Sequence, residues 1–389
     1  MNSDFHYYAT FCAAVLAGYS HEEAEEICTS SQLVDHCTVT FLNKVKGPRS
    51  AATTQLQSEM VDARMDLTGR QDITRIWSSF HFLPRDLNAE VKHGSWLYKA
   101  KYRLICGPNG ALLKDTVELA KGHGLEAIGL AMHILADTWA HTYFAGTPSF
   151  VINNTDEIFY EIMKEEDGKR EYRKVVFGHN PAAKENPEKG RYTGSLYQSE
   201  ENNIMNLGHG RAGHLPDYSF IRYVYMPAWN NYETILKDNP SDYLHAFKQM
   251  IYALKYLLGR IETFETDTYD ELAITPYEAW IREIIGTRRV DSSEDWKAFG
   301  ESLTGKAIRP FRLTSYEKEY EKAEKEKKDD TYLGRFFLAA LAQKSLVTQR
   351  IVESGSLLAG YSIDPSKHPF GGIGDYKRLL TRIGEDSKL

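Results

Sequence analysis

His133-Ile-Leu-Ala-Asp137-Thr-Trp-Ala-His141 lies inside a run, residues 125–144, that is otherwise apolar. Three polar groups recur there at every fourth position, so on an α-helix they climb one narrow stripe, one turn apart. Two imidazoles and a carboxylate then face the same neighbour. Burying them on an apolar helix is costly unless each is paired or bound to a cation. Histidine and carboxylate together are zinc ligands, and this favours a divalent metal site. A plain His/Asp hydrogen bond inside a core satisfies the triplet equally well, so the rest of the chain has to separate the two.

The 389 residues suffice for one large or two ordinary domains. An apolar fraction of 42% with 26% charged residues is that of a globular protein. The net charge of -7 disfavours a general affinity for nucleic-acid backbones, which needs a basic surface. Cys12, Cys28, Cys37 and Cys106 are too few and too irregularly spaced for a disulfide scaffold or a Cys-x-x-Cys zinc site. Neither a basic n-region nor a run of roughly 20 apolar residues is visible, so the expectation is a cytoplasmic protein without a membrane span.

Outward from the central stretch, apolar residues over 5–17 recur at helical spacing and stop at Gly18, which places His6 in a first turn. Ser20 with Glu23 forms a capping box for a second helix that runs to about residue 34, with Asp35 at its end. Residues 44–75 read as an irregular loop with a short polar helix or hairpin. His81 follows among Trp77, Phe80, Phe82 and Pro84. The spacing predicts helices over 111–121, 153–173, 242–263, 276–285 and 332–353, a polar loop over 178–194, and a charged, solvated helix over 315–330 with opposite charges four apart. The tail holds one short basic helix, 376–383. A second polar patch, Gly208-His-Gly-Arg-Ala-Gly-His214-Leu-Pro-Asp217, has glycines that admit a close approach and two further histidines with an aspartate. Strand patterns are scarce, so the fold expected is all-α: a metal-binding helical domain over 1–230 and a helical extension over 231–389 packing on it.

The polar residues on apolar ground form an ordered set: His6, Asp35, His81, His133, Asp137, His141, His209, His214 and Asp217. All offer oxygen or nitrogen, which favours zinc, with manganese or iron as alternatives, in an open hydrolytic site. Eight or nine ligands suit two or three ions. This order resembles that of the bacterial zinc-dependent phospholipases C and of the fungal and plant single-strand-specific zinc nucleases. The opening Phe-His-Tyr-Tyr and the helix Leu-Ala-Met-His-Ile-Leu-Ala-Asp-Thr-Trp-Ala-His also look like an uncharacterised bacterial family of that superfamily. The resemblance implies an all-α bundle with a trinuclear zinc cluster that cleaves phosphodiesters. It puts Asp35, His81, His133 and Asp137 on a first zinc. His141, His209 or His214, and Asp217 fall on a second, and His6 with a bridging Asp137 on a third. Asp35 and Asp137 are the catalytic candidates. The pattern departs from the family at its start, where the characterised enzymes use the amine of a mature tryptophan; here either Asp4 substitutes or the third ion is absent.

A metal-activated water attacking a phosphoester needs no protein nucleophile, and no Gly-x-Ser-x-Gly elbow occurs in the chain. The function expected is a metal-dependent hydrolase of a small or lipid-like phosphoester, with Trp77, Phe80, Phe82, Trp139 and Tyr143 as candidate pocket aromatics. The rival is a non-enzymatic helical scaffold with a structural metal site, binding a protein partner through 315–330.

Overall fold

Fifteen of the sixteen residues of helix Leu125–Ala140 are buried, so other elements must enclose it on every side. The computed structural model describes residues 1–63, 67–91, 94–156, 158–178, 184–194 and 206–360. A π-helical turn, Asp4–Ala9, leads into α1 (Thr10–Ala17) and α2 (His21–Leu33). There follow α3 (Val39–Val45), α4 (Gln57–Ala63), α5 (Leu67–Phe80), α6 (Trp96–Tyr102), α7 (Ala111–Ala120), the central helix as α8, and α9 (Phe150–Asn153). Strands β1 (Tyr160–Glu166), β2 (Lys169–Lys174), β3 (Val176–Gly178), β4 (Arg191–Thr193), β5 (Arg222–Tyr225) and β6 (Ile235–Asp238) come next. The chain closes with α10 (Asn239–Leu257), α11 (Glu271–Ile274), α12 (Glu278–Gly286), α13 (Ser293–Thr304), α14 (Thr314–Lys322) and α15 (Tyr332–Glu353).

The sheets overturn the all-α expectation. β2, β1, β5 and β6 form a four-stranded antiparallel sheet in that order, and β3 pairs with β4 in parallel. The helix expected over 153–173 is a hairpin because Asp167 and Gly168 both take positive φ, 50° and 74°. That is the backbone of a two-residue turn whose twist matches antiparallel strands, and Asp-Gly is its usual sequence. The Glu and Lys side chains that suggest helical ion pairs instead lie along an exposed edge strand, where charge discourages further pairing. β5 alternates half-buried and buried residues, the period-two pattern of a strand with one face on a core.

Helix starts follow the capping chemistry. Ser20 accepts from the Glu23 N–H while the Glu23 carboxylate accepts from the Ser20 N–H, which satisfies two donors that the first turn leaves orphaned. Gly18 ends α1 at φ 102°, a conformation that costs glycine nothing. α2 crosses α8 closely because residue 129 is glycine: a Cβ there would sit 2.2 Å from the Ile27 carbonyl oxygen.

Around α8 lie α2, α10, α15, α7 and α5. One helical core joins residues of α1, α2 and α8 to residues of α10, α12, α13 and α15, so the C-terminal region shares the core of the N-terminal one. A second, aromatic core lies under the sheet: Phe144, Phe159 and Tyr225 stack at 5.5 and 5.7 Å between ring centres. The charged 315–330 segment is not one solvated helix. α14 stops at Ala323, which is extended at ψ 137°, and a 3-10 turn, Lys325–Asp330, follows. The break lets Tyr320 bury itself and Tyr316 stack 4.1 Å from Tyr332 of α15. The tail helix expected over 376–383 lies outside the described residues. Among the described residues no helix is long and apolar enough to cross a membrane.

Candidate metal centre

The seam between the helical and aromatic cores holds the polar cluster. α8 delivers His133, Asp137 and, as its C-cap, His141. His6 comes from the π-helical turn, Asp35 from the turn after α2, and His81 from the end of α5. His209 and His214 are the caps of two consecutive 3-10 turns, Gly210–Ala212 and Leu215–Asp217, the second of which ends in Asp217.

Asp137 stands at the middle. Its Oδ2 is 3.2 Å from both His133 Nε2 and His81 Nδ1, and its Oδ1 is 3.2 Å from His6 Nε2 and 2.7 Å from the main-chain nitrogen of Met1. Asp35 Oδ1 faces His81 Nδ1 and His133 Nε2 at 3.9 Å each. Asp217 Oδ1 is 3.2 Å from His141 Nε2 and 3.3 Å from the Met1 nitrogen; its Oδ2 is 3.7 Å from His209 Nε2 and 3.0 Å from His214 Nδ1. Three sets have all their donor atoms within 4.8 Å of one another: His6, His133 and Asp137; Asp35, His81 and His133; and His141, His209 and Asp217. All nine residues singled out in the sequence therefore meet in one place. Between the two downstream histidines, His209 completes the third set, while His214 is half-exposed and meets the cluster through Asp217.

The imidazole protons can be placed by elimination. His133 Nδ1 lies 2.9 Å from Ser31 O, His141 Nδ1 2.7 Å from His81 O, His209 Nδ1 2.7 Å from Gly213 O, and His81 Nε2 3.1 Å from Thr53 O. A carbonyl oxygen only accepts, so each of those nitrogens carries the ring proton and donates it. In His133 and His209, which burial keeps neutral, the opposite nitrogen then holds a bare lone pair. Those lone pairs point at carboxylate oxygens, and His133 Nε2 and His81 Nδ1 also face each other at 3.3 Å. His6, fully buried, has no hydrogen-bond partner on either ring nitrogen among the described residues.

Electrostatics keeps the cluster in this form. Burial, foremost, pushes His6, His133 and His209 down to about 4, so these rings are neutral near pH 7. Burial opposes ionisation of Asp137 and Asp217. Even so, His141 and the Met1 ammonium around the first, and His209 and that ammonium around the second, hold both well below the usual carboxylate range. Burial by itself would lower the ammonium too, and Asp137 and Asp217 overcome it, raising it to about 10. Lone pairs and carboxylates converge here around that one ammonium, a donor set that suits divalent cations. The donors are nitrogen and oxygen throughout, and the four cysteines are buried thiols outside the three sets.

Asp4 is not the substitute donor expected at the N-terminus. Its carboxylate accepts from the Phe5 N–H at 2.8 Å and the Ser292 N–H at 3.0 Å, and burial pushes it up to about 6. The Met1 nitrogen, as an ammonium, lies 2.7 Å from Asp137 Oδ1 on that side of the cluster. Sequence reasoning also missed the carbonyls of Ser31, Thr53, His81 and Gly213, which orient the rings. Main-chain groups leave no signature in a sequence. Of the aromatics, Phe82 stacks on His141 at 4.6 Å and Trp77 lies 5.0 Å from His81. Phe80 and Trp139 are buried, the latter donating to Gln249 Oε1 at 2.8 Å, and Tyr143 packs against Trp229 at 5.6 Å.

A family model matches residues 1–351, and the chain belongs to that family, a family of unknown function (DUF6765). No curated protein and no solved structure matches the chain.

Proposed function

We propose, since family membership leaves the chemistry open, that the cluster binds two or three divalent cations, zinc foremost, and that the chain is a metal-dependent hydrolase of a small or lipid-like phosphoester. The observation that carries this reading is the set of imidazole nitrogens, each with its other nitrogen on a main-chain carbonyl, that face ionised carboxylates in a largely buried cluster. The resemblance of the ligand order to the zinc-dependent phospholipases C and the single-strand-specific zinc nucleases supports the phosphoester class. The net charge of -7 weighs against long nucleic acids.

When bound, such ions lower the pKa of a coordinated water to near neutrality and take up charge on phosphoryl oxygens. The residues of the chain divide the remaining work. Asp137 turns one oxygen to His6 and the other to His81 and His133, so it is placed to bridge two centres. Asp35, a third exposed, is where its set with His81 and His133 opens to solvent, and its carboxylate can accept the proton that the attacking water gives up. His214 is held through Nδ1 by Asp217, a hydrogen bond that raises its pKa against burial. Its other ring nitrogen can hand a proton to the leaving alkoxide. Phe82 and Trp77, against His141 and His81, exclude water from behind the ligands.

Metal analysis of protein purified without added metal tests the first half of the proposal. At least one tightly bound zinc, manganese or iron per chain is expected, and less than one removes the hydrolase reading. Assays on bis-p-nitrophenyl phosphate, phosphocholine lipids and single-stranded DNA test the second half. Activity on one of the first two is expected; silence on all three by metal-loaded protein favours the scaffold instead.

A further inference from the structure

Asp35 is the loosest member of the set it forms with His81 and His133. It sits on a turn rather than inside a helix, a third of its side chain meets solvent, and its Oδ1 stands 3.9 Å from His81 and His133, where those two rings lie 3.3 Å from each other and 3.2 Å from Asp137. A carboxylate so placed would turn to water unless something held it. Gln32, three residues earlier in the last turn of α2 and nearly fully buried, donates from Nε2 to Asp35 Oδ2 at 3.3 Å. That is the one hydrogen bond to the Asp35 carboxylate among the described residues.

The amide orientation is forced, because the flipped rotamer would set Oε1 against the carboxylate, acceptor to acceptor. Its consequence is that Gln32 Oε1 is buried with no partner among the described residues. An unsatisfied buried acceptor is destabilising, and groups left so in folded proteins concentrate where geometry serves a site. The same Nε2 also lies 3.4 Å from His36 Nε2.

We propose that Gln32 is a positioning residue: by holding Oδ2 it turns Asp35 Oδ1 toward His81 and His133, and so completes the donor set of the open centre. This rests on the metal reading above. The set of Asp35, His81 and His133 is then supported by a pair on α2 and its following turn, in which an uncharged amide fixes the ligand without competing for the cation.

Gln32→Met, which keeps the shape and removes the amide, and Gln32→Glu, which sets a like charge against Asp35, test it. With cobalt as the probe metal, equilibrium dialysis and the visible absorption spectrum read occupancy and ligand field without recourse to activity. Both variants should weaken one ion by about 10- to 100-fold, the range for losing an outer-sphere partner, and change its spectrum while the remaining ions bind as in wild type. In an Asp35→Ala background, Gln32→Met should add nothing. Wild-type affinity and spectrum in both single variants, or a full further loss in the Asp35→Ala background, would overturn the role of Gln32 while leaving the metal reading intact. Wild-type protein that takes up no cobalt overturns both. Should Gln32→Met unfold, the isosteric Gln32→Glu carries the test.

Discussion

On the α8 side of the cluster every donor is sealed, whereas on the side of residues 209–217 the donors ride on two short 3-10 turns. His6, His133 and Asp137 are at most 1% exposed, and a helix enclosed by five others fixes their spacing. His209 is partly buried, and the His214 side chain is 51% exposed. The helix side is therefore rigid and keeps its rings neutral, and the loop side is partly open to solvent. Enclosed ligands can keep an ion, while donors on surface turns are where a partner molecule can reach it.

Removing the shared member should have the largest effect. Asp137→Ala is expected to strip more than one ion per chain and to reduce activity by more than the ~10- to 100-fold typical of an outer-sphere loss. Elemental analysis decides it, and loss of a single ion would refute the bridging position. The packing that makes the helix side rigid comes next. Gly129→Ala forces α2 and α8 apart at a 2.2 Å approach, at a cost of roughly 1–3 kcal/mol. The melting temperature should drop by several degrees, and an unchanged melt would mean the two helices are not held as closely as described.

The loop side should respond residue by residue. His209→Ala is expected to lose one ion and spare the others, whereas His214→Ala should keep the full metal count and lower turnover by about 10²-fold, the usual loss for a general acid. Equal metal loss in the two would erase the distinction drawn between them. The smallest expected effect is on metal-free protein as pH changes. His6, His133 and His209 are pushed down to about 4 from an ordinary 6.5. The unfolded chain then binds more protons between those limits, and stability falls as pH drops through that window. His214, raised by Asp217, acts in the opposite sense: its contribution is complete below 6.5 and fades as pH rises through its folded value. Denaturant midpoints of chelator-treated protein should be lower at pH 5 than at pH 7; a higher midpoint at pH 5 would show the loop side outweighing the sealed one.

Much of the helix side is legible in the sequence because its information is periodic. Four-residue spacing puts His133, Asp137 and His141 on one stripe, and Ser20 with Glu23 announces the start of α2. The loop side carries no period, so the choice between His209 and His214 waits for the turns that separate them. The hairpin β1–β2 was hidden for a different reason: its Glu- and Lys-rich strands share their composition with exposed helices, and only Asp167-Gly168 distinguishes the two. Gln32 does carry a local signal, since three residues separate it from Asp35 at a helix end, but nothing in the chain marks an amide as the partner of that aspartate. The Met1 nitrogen carries none.

The cluster gathers donors from residue 6 to residue 217, more than half the chain length apart. Any ion held there would tie the first turn of the protein to a loop that follows the hairpin, and it would bind only when those distant segments have come together. Folding and metal uptake would then be one equilibrium. Free metal at a hundred times its dissociation constant would add about 2.7 kcal/mol to the folded state, so that the fraction of folded chains would report the supply of metal around them.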